Sequence, residues 1–217
     1  MKVKNNGVEI YEDILDKKQL EMFRKLAFTK KQFFLAGGTA LALQIGHRKS
    51  IDFDFFTNKD FDVDKMITKL KEIWGSENVL TTMTTENSTL NAVVDGVKIS
   101  FFKIPYPPVE KLIELHELNM ATKLDIACMK CHAITRRSVK KDYIDLYFLL
   151  KEFSLREILD TCAIKYESLS YIIILKSLQY FDEVKPEGVT FLRGQNVSFE
   201  EVKSGLTAAV KKFDLRG

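Results

Sequence analysis

The sequence predicts an α+β chain: a mixed α/β half to about residue 115, then an all-helical half. Polar and apolar residues alternate in SIDFDFF (50–56), and Thr and Val crowd 79–104, both marks of strands. From Thr122 onward apolar residues recur at helical spacing behind capping signals. PYPP at 105–108 interrupts any regular pattern between the two.

Residues 11–30 carry Leu15, Leu20, Phe23 and Leu26 among charges, an amphipathic helix or two short ones. QFFLAGG (32–38) reads as a buried strand ending in a glycine turn. TALALQI (39–45) is a short helix with Thr39 as its N-cap and Gly46 as its stop. SIDFDFF is a strand with Asp52 and Asp54 on one face and Ile51, Phe53 and Phe55 buried on the other. Residues 62–74 form a helix ending near Trp74-Gly75. Two or three strands follow, with a hairpin at Asp95-Gly96. The division is 1–115, an α/β core with an N-terminal helix, and 116–217, a helical subdomain. In the latter, Thr122 and Asp125 have capping-box form ahead of a helix face with Ile126, Met129, Ala133 and Ile134. DYIDLYFLLKEF (142–153) is a second helix, and more helix covers 155–180. Ser198 and Glu201 cap a last helix running to about Phe213.

At 217 residues, with 46% hydrophobic and 29% charged, the chain can bury a full core. A net charge of +3 is too small to argue for a nucleic-acid partner. The local balance says more: Lys123, Lys130, Arg136, Arg137, Lys140 and Lys141 face one acid, Asp125, between Thr122 and Lys141. That is a positive field, useful where it faces something anionic. The N-terminal stretch has no apolar h-region, and no run approaches the ~18 apolar residues of a membrane span. Cys128, Cys131 and Cys162 are too few for a disulfide framework. A cytoplasmic protein with no membrane role is expected.

Residues 33–56 concentrate the chemistry. Asp52 and Asp54 would project together with Cα atoms roughly 6.6 Å apart. Such a pair repels itself unless a cation intervenes, and oxygen ligands suit Mg²⁺ (or Mn²⁺), one ion or two. Glycines at Gly37 and Gly38 let the backbone approach a ligand, and free amides at a helix N-terminus bind phosphate. The Thr39 hydroxyl, Arg48 and Ser50 could reach the same phosphates. Alone, an Asp-x-Asp or a double-glycine turn says little, and Thr39 serves equally as a simple cap. Their conjunction in the order strand, GGT, helix, turn, strand says much more. Neither G-x-x-x-x-G-K-[ST] nor G-x-G-x-x-G is present. CMKCH (128–132) has the form of a haem-attachment motif, but it lies mid-helix with no export signal, so the cysteines read as small buried residues and no haem is expected. His47 could contact a ligand or hold the turn.

These pieces resemble a known family. GGTALALQIGHRKSIDFDFF (37–56) looks like the first motif of the AbiEii/AbiGii-type nucleotidyltransferase toxins, within the DNA polymerase β-like nucleotidyltransferase superfamily. LDIACMKCHAITRRSVKKDYIDLYFLL (124–150) is similar to the family's later block, matching at Lys130, Arg137, Lys141, Asp142, Asp145 and Leu146. GVKISFFKIPYPP (96–108) fits the family's third core strand. The resemblance spans about residues 30–150. It implies a polymerase β-like core, a mixed sheet with flanking helices, and a helical subdomain that completes the active site. It also implies transfer of a nucleoside monophosphate from an NTP to an acceptor hydroxyl. Asp52 and Asp54 would hold metal, and Lys130, Asp142 and Asp145 would join them in catalysis. Gly37, Gly38, Thr39, Arg48, Ser50 and Arg137 would bind the nucleotide. RNA, tRNA included, is the implied acceptor. A toxin–antitoxin or phage-defence role with a cognate antitoxin follows from the same likeness.

The chain departs from that pattern in two places. Gly-Thr replaces the superfamily's Gly-Ser. The strand that often carries a third carboxylate offers Ser100, while Asp95 sits in the hairpin; Asp142 or Asp145 is a candidate replacement. Asp142 and Asp145, three apart, share a helix face; read without the resemblance, they and Lys141 would be solvated intrahelical pairs. Two other readings stay open: a nucleotide-sensing or RNA-binding module without turnover, and transfer to a protein or small molecule.

Overall fold

Short-range pairing opens the chain. β1 (Val3–Asn5) and β2 (Val8–Ile10) form an antiparallel hairpin. The structure is a computed structural model and describes residues 2–85 and 88–213. These divide into two units, one of residues 1–107 and 111–121, the other of 108–110 and 122–217.

In the first unit, the expected helical region at 11–30 is one short helix, α1 (Lys17–Phe23), between two 3₁₀ turns. Asp16 caps α1 through a reciprocal bond with Gln19. β3 (Phe34–Ala36) runs without a loop into α2 (Gly37–Ile45). Gly46 ends α2 in the left-handed region, as expected of a glycine stop. β4 is Phe53–Thr57 and α3 is Val63–Trp74. β5 (Val79–Thr85), β6 (Thr89–Val94) and β7 (Val97–Lys103) resolve the 79–104 region into three strands. Asp95 and Gly96 both take positive φ (48° and 81°), the backbone a two-residue hairpin needs. β8 (Ile113–Glu114) and β9 (Asn119–Met120), which no sequence pattern announces, complete a seven-stranded sheet in the order β5-β6-β7-β4-β3-β9-β8. β4 pairs antiparallel with β3 and parallel with β7, so the sheet is mixed.

One sheet face is apolar throughout: Leu35, Phe53, Phe55, Leu90, Ile99 and Phe101 are fully buried. α2 is enclosed almost all round, with Ala40, Leu41, Ala42 and Leu43 at 0% exposure. Each buried leucine contributes roughly 1.5–3 kcal/mol, enough to hold the N-terminus of α2 in one place.

The expectation that Ile51 buries beside Phe53 is corrected. The strand starts at Phe53, not Ser50, and Ile51 is 60% exposed. Pairing with β3 ends at Ala36 opposite Asp54, so nothing holds residue 51 to the sheet.

In the second unit, α4 (Lys123–Ile134) packs against α5 (Lys140–Leu149), α6 (Leu155–Lys165) and α7 (Tyr171–Ser177), and α8 (Phe199–Lys212) packs on α5. Ser198 and Glu201 form the expected reciprocal cap on α8. At α4 only half the expected box exists. Thr122 accepts from the Asp125 amide, but the Asp125 carboxylate turns instead to the Val109 and Glu110 amides (3.0–3.1 Å) and to Lys165 Nζ (2.7 Å).

A polar network ties the first hairpin to the loop before β9. Asn5 Nδ2 donates to Glu117 Oε2 at 2.6 Å, Arg24 Nη1 donates to Glu117 Oε1 at 2.8 Å, and Asn5 Oδ1 accepts from the His116 amide. Burial opposes the charge on Glu117, but these hydrogen bonds outweigh it and hold the carboxyl below its ordinary range. Its stabilising effect is therefore complete above the unfolded-state value near ~4.3 and is lost as pH falls through the lower folded value. Glu117→Gln should cost about 1–3 kcal/mol at pH 7, and the gap to the native protein should close in acid. Urea unfolding across a pH series measures both.

Candidate active site

The first unit brings its candidate residues to the junction of β3 and α2. Gly37 takes φ 72°, a conformation that side chains resist, and this lets the strand become a helix within one residue. The helix therefore begins two residues before Thr39. The N-cap is Ala36, which makes no side-chain cap bond, so the expectation of Thr39 as cap is corrected. The first-turn amides of α2, at Gly37, Gly38 and Thr39, have no partner within the helix.

Three side chains close around the two glycines. A Cβ on Gly37 would lie 3.3 Å from Asp54 Oδ2. A Cβ on Gly38 would lie 2.6 Å from Arg48 Nη2 and 3.0 Å from Ser50 Oγ. Both positions stay side-chain-free because Asp54, Arg48 and Ser50 occupy that space. Arg48 is 2% exposed and its Nη1 donates to the Lys49 carbonyl at 2.9 Å. The Thr39 hydroxyl donates to the Asp52 carbonyl, which pins the residue before β4 to the first turn of α2. Asp52 and Asp54 are both half-buried. His47 is fully buried in the turn after α2.

Asp54 sits in register with Ala36 on one side and Ser100 on the other. Ser100 in turn faces Asn91. No acid follows Asp54 along this row, and Asp95 pairs with Lys18 at the hairpin. Among the described residues no three His, Cys, Asp or Glu side chains gather as a metal cage. The Asp54 carboxylate lies against the first turn of α2, and Asp52, expected on the same strand face, precedes the strand; this donor set still fits Mg²⁺, which binds through one or two carboxylates together with substrate phosphates. The donor set suits an ion that arrives with a nucleotide.

The second unit holds a different arrangement. Lys130 Nζ lies 2.7 Å from Asp142 Oδ1 and 2.7 Å from Asp145 Oδ2, and Arg137 Nε donates to Asp142 Oδ2 at 2.9 Å. The lysine and both aspartates are buried, while the Arg137 side chain is 60% exposed. Two cations thus balance two anions. The reading of Asp142 and Asp145 as solvated pairs is overturned by this burial; Lys141 pairs instead with Glu187.

The basic stretch 122–141 is also less positive than its composition suggests. Lys123 pairs with Glu152, Arg136 donates to His132 Nε2 at 3.1 Å, and Lys140 lies 5.4 Å from the Phe199 ring centroid. The three cysteines are fully buried, and contact with Cys162 together with burial pushes the Cys128 thiol well up, into its neutral form. Composition gave no sign of the buried Asp125–Lys165 pair, whose partners stand 40 residues apart.

The AbiEii family model, described as nucleotidyl transferase AbiEii toxin of a type IV toxin–antitoxin system, matches residues 21–187. An uncharacterised protein of Aquifex aeolicus (strain VF5) is 38% identical over 211 residues, covering 92% of this chain and 97% of that protein. MenT4, a nucleotidyltransferase toxin of Mycobacterium tuberculosis H37Rv, superposes with TM-score 0.59 at 11% identity over 91% of this chain and 84% of its own. JHP933 of Helicobacter pylori gives TM-score 0.53 at 18% identity over 93% and 92%. The α+β nucleotidyltransferase fold expected from sequence is the fold observed.

Removing one member of the buried cluster leaves an opposite charge stranded. Lys130→Met should destabilise the protein by about 3–5 kcal/mol, and adding Asp145→Asn should recover part of that loss. Urea unfolding of the single and double variants checks this. Equal losses in both would mean that Asp145 does not depend on Lys130.

Proposed function

The chain belongs to the AbiEii nucleotidyl transferase toxin family, whose chemistry is nucleotidyl transfer, and from that membership we propose that it moves a nucleoside monophosphate from an NTP to a hydroxyl of RNA. The observation that carries this reading is the Asp54 carboxylate set against the Gly37 turn, at the uncapped N-terminus of α2. Free amides there, with the helix dipole behind them, receive phosphate oxygens. Arg48 and Ser50, over Gly38, add a cation and a hydroxyl to the same turn. Asp52 and Asp54 would hold Mg²⁺ or Mn²⁺. Bound there, the ion would neutralise charge on the triphosphate.

An acceptor hydroxyl attacks the α-phosphate and pyrophosphate leaves. The work of the chain is positioning and charge neutralisation. In the second unit, the reading assigns Lys130 and Arg137 to phosphate oxygens, with Asp142 and Asp145 fixing the lysine. The family's description supports a toxin role with a cognate antitoxin partner.

One observation favours a second reading. Ser100, not an acid, stands beside Asp54, which suits a module that binds nucleotide without turning it over.

Each α-labelled NTP, incubated with Mg²⁺ and total RNA, separates the two. Transfer predicts labelled RNA and released pyrophosphate. Asp52→Ala and Asp54→Ala should each lower the rate by about 10²–10³-fold or more with little change in melting temperature. Nucleotide bound tightly with no pyrophosphate released would establish the second reading. Unfolding of both variants would make the carboxylates a structural pair.

A further inference from the structure

Asn91 breaks the rules of its position. Asparagine is disfavoured in strands, yet it stands in β6, between β5 and β7. Its Oδ1 is buried and has no hydrogen-bond partner. A buried acceptor left unmade carries its full desolvation cost, and native structures keep few of them. Where a residue breaks local rules without a gain in the fold, function is the usual reason.

The register says what the group is near. Asp54 of β4 pairs with Ser100 of β7, and Ser100 pairs with Asn91 of β6. Register partners project from the same face. A carboxylate, a hydroxyl and an amide therefore line up across three adjacent strands, roughly 4.8 Å apart at each step. Two residues along, the same face carries Phe56 and Phe102, half-buried, with ring centroids 5.4 Å apart. Thr89, opposite Phe102, is the polar residue on that side, and it makes no hydrogen bond to Asn91 Oδ1. The strip is a polar line across three strands that starts at the proposed phosphate site.

We propose that Ser100 and Asn91 form a ribose subsite, in which a sugar hydroxyl donates to Asn91 Oδ1 and bonds with Ser100 Oγ. The chemistry matches: a sugar hydroxyl is a donor and acceptor placed one linkage from a phosphate. This rests on the nucleotidyl-transfer reading. Two riboses meet at such a site, the NTP's own and that of the acceptor, and the test separates them.

The variants are Asn91→Val, which suits a strand and removes the unmet oxygen, and Ser100→Ala, which removes only a hydroxyl. The probes are the four NTPs with Mg²⁺, their 2′-deoxy and 3′-deoxy forms, and total tRNA as acceptor. Asn91→Val should melt at or above the native temperature. If the NTP's ribose binds the strip, native protein prefers a ribonucleotide over one of its deoxy forms by about tenfold, and both variants lose that preference. If the acceptor's ribose binds, NTP affinity is unchanged in the variants while KM for tRNA rises by about tenfold.

Variants that bind every nucleotide and transfer to tRNA as the native protein does would overturn the subsite and leave the enzyme reading standing. An early-melting Asn91→Val beside a Ser100→Ala with native binding and transfer would also overturn it, making Asn91 structural. Native protein that binds no NTP would remove the enzyme reading itself and the subsite with it.

Discussion

A strand that becomes a helix within a single residue is the constraint on which the first unit depends. Gly37 makes it possible by taking φ 72°, and the Asp54 carboxylate crowds the space that a side chain there would need. The consequences run outward. With no loop between β3 and α2, the first amides of the helix emerge at the edge of the sheet, level with the Asp54 pairing. The Thr39 hydroxyl then fastens the Asp52 carbonyl to the same turn. The buried sequence ALAL from Ala40 to Leu43 anchors the helix from below. The helix N-terminus beside the Asp54 carboxylate is thus a product of backbone geometry, held by core packing rather than by flexible side chains.

Charge is handled differently in the second unit. Lys130, Arg137, Asp142 and Asp145 balance one another, and Asp125 with Lys165 makes a second buried pair. Buried pairs of this kind add little net stability, because desolvation offsets most of the attraction. Their effect is to fix where each group points. Lys130 is therefore a preset cation, and its helix α4, enclosed by three others, leaves it little freedom. Lys123, Lys140 and Lys141 near it have partners of their own, and Arg137 is the exposed member of the buried cluster.

Local features were legible in the sequence, and long-range ones were not. The alternation of FDFF, the glycine pair, the Asp95-Gly96 hairpin and the Ser198 cap each depend on neighbouring residues, and each appears where expected. β8 and β9 exist only because Met120 and Asn119 pair with β3, some 85 residues earlier, and two-residue strands carry no periodicity. The start of α2 was misplaced because its glycine takes a left-handed conformation that propensity does not anticipate. Ile51 escapes the pattern because alternation in the sequence continues past the last pairing with β3, Ala36 with Asp54. The basic stretch reads as a field in sequence because its partners, Glu152 and Glu187, lie outside it. Asn91 gave no signal at all: an unmet oxygen is visible only once its neighbours are known.

The most direct test of the account is paramagnetic titration of Mn²⁺ with and without a nonhydrolysable NTP analogue, on native protein and on Asp54→Asn. The account predicts weak Mn²⁺ binding alone, much tighter binding when the analogue is present, and loss of that enhancement in Asp54→Asn at an unchanged melting temperature. Tight binding in the native protein without nucleotide, or enhancement that survives Asp54→Asn, would contradict it.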